Sequence, residues 1–161
     1  MFIFIKGELK MDSMEDKTMS QVTVKDLMIP SEKVAHVQTN NPLEHALLVL
    51  VKTGYSAVPV LNSSYQLKGI IGKSIILNET LGLERFEFER LSEITVEEVM
   101  DTDIPVLHEH HSYIDGLKAV INDPFVCVVD NEQYFDGILT RRAILKQARN
   151  NYYLANQTTY Q

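Results

Sequence analysis

At 161 residues, 45% hydrophobic and 23% charged, the chain has ordinary globular composition, with room for one substantial core but not for two large domains. A net charge of −7 excludes a general nucleic-acid or anionic-membrane binder, so any phosphate ligand has to be held by a local basic pocket. The single cysteine, Cys127 in the apolar run Val126-Cys127-Val128-Val129, excludes an intramolecular disulfide, suits a reducing cytoplasm and reads as a small buried hydrophobe.

Met1-Phe2-Ile3-Phe4-Ile5 is apolar but too short for a signal-peptide core or a membrane span, and no later run approaches spanning length. Residues 1–20 carry no sustained period and are expected to form a flexible N-terminal arm; Met11, Met14 and Met19 make an added arm or a misplaced start equally good readings. Thr23 is placed to cap a short helix with Leu27 and Met28 on its apolar side, and Pro30 soon follows. Val34-Ala35-His36-Val37 is short and β-prone. Asn41-Pro42 opens a helix over Leu43–Val51 that ends near Gly54. Ser56–Leu61 reads as a buried strand, with Pro59 pointing to an edge or a strand end. Asn62-Ser63-Ser64 makes a turn, Leu67–Gly72 is the partner strand, and Lys73 begins another helix. Residues 81–93 form a mixed connector that fits a helical turn or an amphipathic surface segment equally well.

The order then repeats. Thr95-Val96-Glu97-Glu98-Val99-Met100 matches Thr23–Met28, with a capping-box spacing from Thr95 to Glu98. Ile104–Leu107 is the short extended piece, Ser112 caps a helix ended by Asn122-Asp123-Pro124, and Phe125–Val129 matches Ser56–Val60. Asp130-Asn131-Glu132 is the turn, and Phe135–Leu139 matches Leu67–Ile71. Thr140-Arg141-Arg142-Ala143-Ile144-Leu145 falls on Gly72-Lys73-Ser74-Ile75-Ile76-Leu77, and the polar, tyrosine-bearing tail over residues 150–161 reads as frayed. The domain plan is therefore a first repeat at 21–80, the connector, and a second repeat at 94–149. Neither repeat is large enough to bury its sheet alone, so the two should pack together about a pseudo-twofold axis with two equivalent clefts.

The chemistry concentrates where the second repeat passes from strand to helix. Thr140 is a good N-cap, and Arg141 and Arg142 fall in the first helical turn, where cations oppose the helix dipole. Unpaired amides, a hydroxyl and two guanidinium groups together suit a phosphate. Two solvated surface arginines are the alternative.

These residues carry a resemblance. The paired Val-x-x-Leu/Val-Met openings, the Ala57-Val58-Pro59-Val60 strand and the Gly-Ile-Ile/Leu strand-to-helix junctions resemble tandem CBS domains, the Bateman module, over residues 22–149. The resemblance implies an α/β fold of two β-α-β-β-α repeats, a dimer, and adenine-nucleotide binding between the repeats. The ribose motif of that family ends in an Asp, where this chain has Ala143; the first repeat has Gly72 and Ile75 at the two polar positions. Together with Lys33–Val37 and Thr53-Gly54-Tyr55, this pattern is similar to the stand-alone CBS proteins of Gram-positive bacteria that bind cyclic di-AMP. The likeness implies a small cytoplasmic homodimer whose nucleotide controls docking onto the guanosine tetraphosphate synthetase/hydrolase of the stringent response and onto pyruvate carboxylase.

On that reading Arg141 and Arg142 neutralise a phosphate and Thr140 bonds a ribose or phosphate oxygen. The backbone of Lys33, Ala35, His36 and Val37 reads an adenine edge, and Tyr55 offers a stacking face. Lys33 reads equally as a solvated loop lysine, Tyr55 as core, and His36 as structural. One full-affinity cleft per chain is expected, because Gly72-Lys73-Ser74 supplies one cation where the second repeat supplies two. An AMP- or ATP-sensing regulator is the alternative ligand class. A small enzyme acting on a phosphorylated substrate through the arginine pair or His108-Glu109-His110-His111 is the alternative activity; it lacks a base beside a nucleophile. The histidine cluster has no third ligand at metal spacing and reads as a polar surface segment, so neither a catalytic nor a metal site is expected.

Overall fold

The structure is a computed structural model that describes residues 21–158; the arm expected over residues 1–20 lies outside them. The described residues form two compact units, and these do not follow chain order. One holds residues 35–104, the other 21–34 together with 105–158.

The first unit contains β2 (Val37–Gln38), α2 (Leu43–Thr53), β3 (Ala57–Leu61), β4 (Leu67–Gly72), α3 (Lys73–Glu79) and α4 (Val96–Val99). Its sheet runs β2-β3-β4, with β2 parallel and β4 antiparallel to β3. The second unit contains α1 (Val24–Leu27), β1 (Ile29–Pro30), β5 (Val106–Leu107), α5 (Tyr113–Ala119), β6 (Phe125–Val129), β7 (Phe135–Thr140) and α6 (Arg141–Thr158). Its sheet runs β1-β7-β6-β5, the same three-strand pattern with β1 added antiparallel to β7.

Each opening helix is built into the unit of the other repeat. Val24 is buried with Tyr113, Val126, Leu139 and Ile144, and its amide donates to the His111 carbonyl at 2.8 Å. Val96 is buried with Leu43, Leu50, Val58 and Ile71, and its amide donates to the Asn41 carbonyl at 2.8 Å. Burying one such valine contributes roughly 1.5–3 kcal/mol, enough to hold a four-residue helix that could not persist alone. The caps are those the sequence announces. Thr95 donates its amide and hydroxyl to Glu98, Thr23 does the same to Asp26, and the Asp115 amide donates to the Ser112 hydroxyl at 3.2 Å.

Two glycines make the crossing possible. A Cβ on Gly137 would lie 2.1 Å from the Ile29 carbonyl oxygen, and the residue sits at φ +155°, so only glycine lets β1 pair with β7 there. Gly69 has the same role in the first unit, where a Cβ would come within 2.5 Å of the Asp101 carbonyl oxygen.

Two expectations are corrected. Pro59 lies inside the central strand β3, not at an edge. It is tolerated because β2 pairs only with Val60 and Leu61, so on that side the ladder begins one residue later. The tail from Asn150 is not frayed but helical, since α6 continues to Thr158. No glycine or proline interrupts it, and Gln147 donates to Asn151 at 3.0 Å across one turn. The connector, open between two readings, is a tight reversal with Leu81 opposite Phe86, followed by a 3-10 turn over Phe88–Ser92.

Candidate functional site

The eight predicted positions divide between the units. Ala35, His36, Val37 and Tyr55 belong to the first; Lys33, Thr140, Arg141 and Arg142 belong to the second.

In the second unit the decisive place is the β7–α6 junction. The Ala143 amide donates to the Thr140 hydroxyl at 3.1 Å, the expected N-cap, which leaves the hydroxyl proton available to another acceptor. The Arg141 amide donates to the Pro124 carbonyl at 2.9 Å. Of the first-turn donors, the Arg142 amide has no acceptor among the described residues, at the positive end of an eighteen-residue helix.

The two arginines, both expected to neutralise a phosphate, are not equivalent. Arg141 Nε donates to the Val120 carbonyl at 2.8 Å, and one terminal nitrogen donates to the Ile121 carbonyl at 3.2 Å. A guanidinium at a helix C-terminus satisfies orphan carbonyls and complements the negative end of the dipole. Arg141 thus straps the end of α5 to the start of α6. Arg142 is exposed and has no hydrogen-bond or ion-pair partner among the described residues, which makes it the available cation. The strap was invisible to sequence spacing, because Val120 and Ile121 lie at and just past the end of another helix, about twenty residues away. No local signal marked it, since the helix that ends before Asn122-Asp123-Pro124 carries its own Lys118 in its last turn. Lys33 sits on a 3-10 turn (Ser31–Lys33) packed against β7, and its exposed ammonium has no partner among the described residues.

In the first unit Val37 is buried and paired with Val60, so only its backbone could face a ligand. Ala35 and Tyr55 are half-buried against the same core, which leaves the Tyr55 ring partly open. It follows Gly54, the left-handed residue (φ +75°) that ends α2. His36 is half-buried and edge-on to Tyr65, with ring centres 5.3 Å apart.

The histidine cluster borders a pocket of about 170 Å³ lined by His108, Glu109, His110, Asp130 and Asp136. His108 Nδ1 bonds the Val129 carbonyl at 2.8 Å and the His108 amide donates to His111 Nδ1 at 3.0 Å, so these rings serve the loop itself. Burial, together with Glu109 and Asp130, pushes the Asp136 carboxyl above its ordinary range. Among the described residues no group of three or more such side chains is placed to hold a metal ion. Cys127 is buried, and burial pushes its thiol up to about 12, which removes it as a nucleophile.

The CBS domain family model matches the chain twice, at residues 24–82 and 96–150. Among curated proteins, the cyclic di-AMP receptor B of Bacillus subtilis (strain 168) is 56% identical over 137 residues, spanning 85% of this chain and 93% of that protein. A CBS domain-containing protein from Bacillus anthracis str. Ames Ancestor superposes with a TM-score of 0.78 at 59% identity, covering 82% of this chain and 96% of that one. The CbpB protein of Listeria monocytogenes in complex with c-di-AMP superposes with a TM-score of 0.76 at 49% identity, covering 81% and 98% of the two chains.

Proposed function

The chain belongs to the CBS domain family, and from that premise we propose that it is a non-enzymatic receptor for cyclic di-AMP that binds and regulates partner enzymes according to its ligand state. The observation that carries the nucleotide reading is the β7–α6 junction. An Arg142 side chain without a partner among the described residues and a Thr140 hydroxyl that accepts from the Ala143 amide stand at a helix N-terminus, and Ala143 occupies the place of the ribose-binding carboxylate. An aspartate there would serve the diol of a mononucleotide and repel a phosphate. A cyclic dinucleotide has its 3′ oxygens esterified and presents phosphates instead. The B. subtilis relative is named for this ligand and the L. monocytogenes relative is bound to it. Arg142 and Thr140 hold a phosphate; the backbone of Lys33 to Val37 and the Tyr55 ring meet an adenine; Arg141 fixes the junction.

The protein acts in the cytoplasm as a homodimer. Equivalent positions of the two repeats keep apolar side chains in solvent: Val51 and Ile121 are 63% and 65% exposed, and Leu77 and Leu145 are exposed likewise. A pair of repeats retaining the same exposed residues suits a self-complementary interface. The partners are the guanosine tetraphosphate synthetase/hydrolase of the stringent response and pyruvate carboxylase, docked in the nucleotide-free form. By linkage, nucleotide and partner weaken each other by the same factor.

Calorimetric titration with cyclic di-AMP, AMP and ATP tests the nucleotide reading. Binding of cyclic di-AMP alone is expected; preference for AMP or ATP would overturn it. A pull-down of the synthetase/hydrolase that strengthens when cyclic di-AMP is added would reverse the sign of regulation.

A further inference from the structure

The connector between the repeats holds a surface that the nucleotide site does not use. The first family match stops at residue 82 and the second begins at residue 96, so residues 83–95 lie outside both. It is nonetheless built. The Gly82 amide donates to the Arg85 carbonyl at 2.9 Å and the Glu87 amide to the Thr80 carbonyl at 2.6 Å, with Thr80 itself fully buried. A Cβ on Gly82 would lie 2.8 Å from both the Arg85 carbonyl oxygen and a Glu87 carboxylate oxygen, so the reversal has room only for glycine.

What this turn presents is apolar. Leu81 faces Phe86 across it, and the Phe86 ring stacks on Phe88 with centres 5.7 Å apart and planes 15° from parallel. All three are more than half exposed, and Leu83 at the tip is wholly in solvent. A soluble chain that fixes four large apolar side chains in water on a defined turn presents an interaction surface. The rim names the chemistry of what covers it. Residues 79–93 carry five glutamates against two arginines, a net of −3. Both arginines pair within the segment, Arg85 with Glu89 and Arg90 with Glu79 at 3.8 Å and Glu87 at 4.0 Å, which leaves Glu84 and Glu93 without an ion pair among the described residues. An acidic rim repels nucleic acid and anionic lipid and attracts a cationic polypeptide.

We propose that the Leu81–Phe88 turn is the docking surface for a client protein, and that it takes a positively charged segment bearing apolar side chains. The inference rests on the regulatory reading above and adds the surface through which a client is held. Leu83, Phe86 and Phe88 enter the client's apolar stripe, and the glutamates meet its lysines and arginines and speed encounter.

The test uses the full chain and a fluorescein-labelled amphipathic peptide whose leucine and tyrosine stripe is flanked by lysine and arginine, beside a twin with glutamate in place of every cation. The basic peptide should bind and weaken as salt rises, while the acidic twin should not bind. Leu83→Asp should weaken the basic peptide at least about tenfold, as expected for loss of a central apolar anchor. The pair Glu84→Lys and Glu87→Lys, which keeps the apolar tip, should abolish the preference for the basic peptide. Cyclic di-AMP titration of the same variants should match wild type, which shows that they fold and reads the nucleotide proposal separately. No binding of the basic peptide, equal binding by Leu83→Asp, or equal binding of the acidic twin would overturn the proposal. So would a drop in the sedimenting mass of the peptide-free protein on Leu83→Asp, since the occupant would then be a second copy.

Discussion

Replacing Arg142 with glutamine and, separately, Arg141 with glutamine separates two roles that adjacent arginines are easily assumed to share. Arg142 is exposed and makes no side-chain hydrogen bond or ion pair among the described residues, so its loss should leave thermal unfolding within about 1 °C of wild type, as for an exposed side chain free of specific features. Its loss should remove one charge-assisted phosphate contact worth about 1.5–3 kcal/mol, which is roughly a 10- to 150-fold rise in the Kd for cyclic di-AMP. Arg141 behaves oppositely. Its glutamine variant loses guanidinium bonds to two carbonyls at the end of α5, worth about 1–3 kcal/mol at a half-exposed site. At about 2–4 °C per kcal/mol for a chain of this size, unfolding should fall by several degrees. Nucleotide affinity should suffer less than in the Arg142 variant, because the free cation remains. Differential scanning fluorimetry and isothermal calorimetry on the two variants read both quantities. A destabilised Arg142 variant that still binds normally, or an Arg141 variant of unchanged stability that has lost binding, would refute the assignment of strap and ligand cation.

Gly137→Ala should destabilise the second unit by about 2–4 kcal/mol and raise hydrogen exchange at β1, since the added methyl would collide with the Ile29 carbonyl oxygen; a chemical denaturation curve unchanged from wild type would contradict this. Cys127 should resist iodoacetamide at pH 8 in the native state and react only on unfolding, because burial holds the thiol at about 12; mass spectrometry of the alkylated protein checks it. The Thr95 amide and hydroxyl hold the Glu98 carboxyl below its ordinary range, so that cap contributes above the ordinary glutamate range and is lost as pH falls through its lowered pKa. The stability gap between wild type and Glu98→Gln should therefore narrow on acidification. Grafting the second junction onto the first, as Gly72→Thr with Ser74→Arg, should raise cyclic di-AMP stoichiometry above one per chain, with calorimetric stoichiometry as the readout.

Much of the fold was legible because its signals are local. Thr95 with Glu98 and Ser112 with Asp115 carry their capping partners three residues away, and Gly54 ends α2 with the left-handed conformation that glycine favours. Asn62 and Asp130 begin equivalent turns by accepting amides two and four residues on, and both turns place a non-glycine residue, Tyr65 or Gln133, at positive φ. The doubled pattern of strand, turn, strand and helix made the pairing of β3 with β4 and of β6 with β7 predictable. What was not legible depends on contacts between distant segments. Nothing near Val24 in the sequence says that it will be buried beside Leu139. Nothing near Arg141 says that its fork will close a helix that ended before Pro124. Pro59 misled because a proline argues against a central strand, and only the shortness of β2 excuses it.

The repeats carry different side chains on one shared strand-to-helix junction. The Lys73 amide donates to the Ser56 carbonyl at 3.0 Å and the Arg141 amide to the Pro124 carbonyl at 2.9 Å, so both strand-to-helix junctions are anchored alike. Strand registers correspond as well, with Ala57 opposite Gly72 and Phe125 opposite Thr140. The divergence lies in side chains at three successive positions. Gly72 gives α3 no side-chain cap, Lys73 supplies a flexible point charge in place of a planar fork, and Ser74 removes the cation that projects freely at Arg142. Because the anchoring bonds are common to both, the proposed nucleotide reading puts any difference in anion affinity between the junctions on Thr140 and Arg142, while the Arg141 side chain bonds the Val120 and Ile121 carbonyls. On the proposed reading, a junction anchored by the same main-chain hydrogen bond in both repeats lets the second meet the nucleotide through its own side chains while the first keeps the shared anchoring.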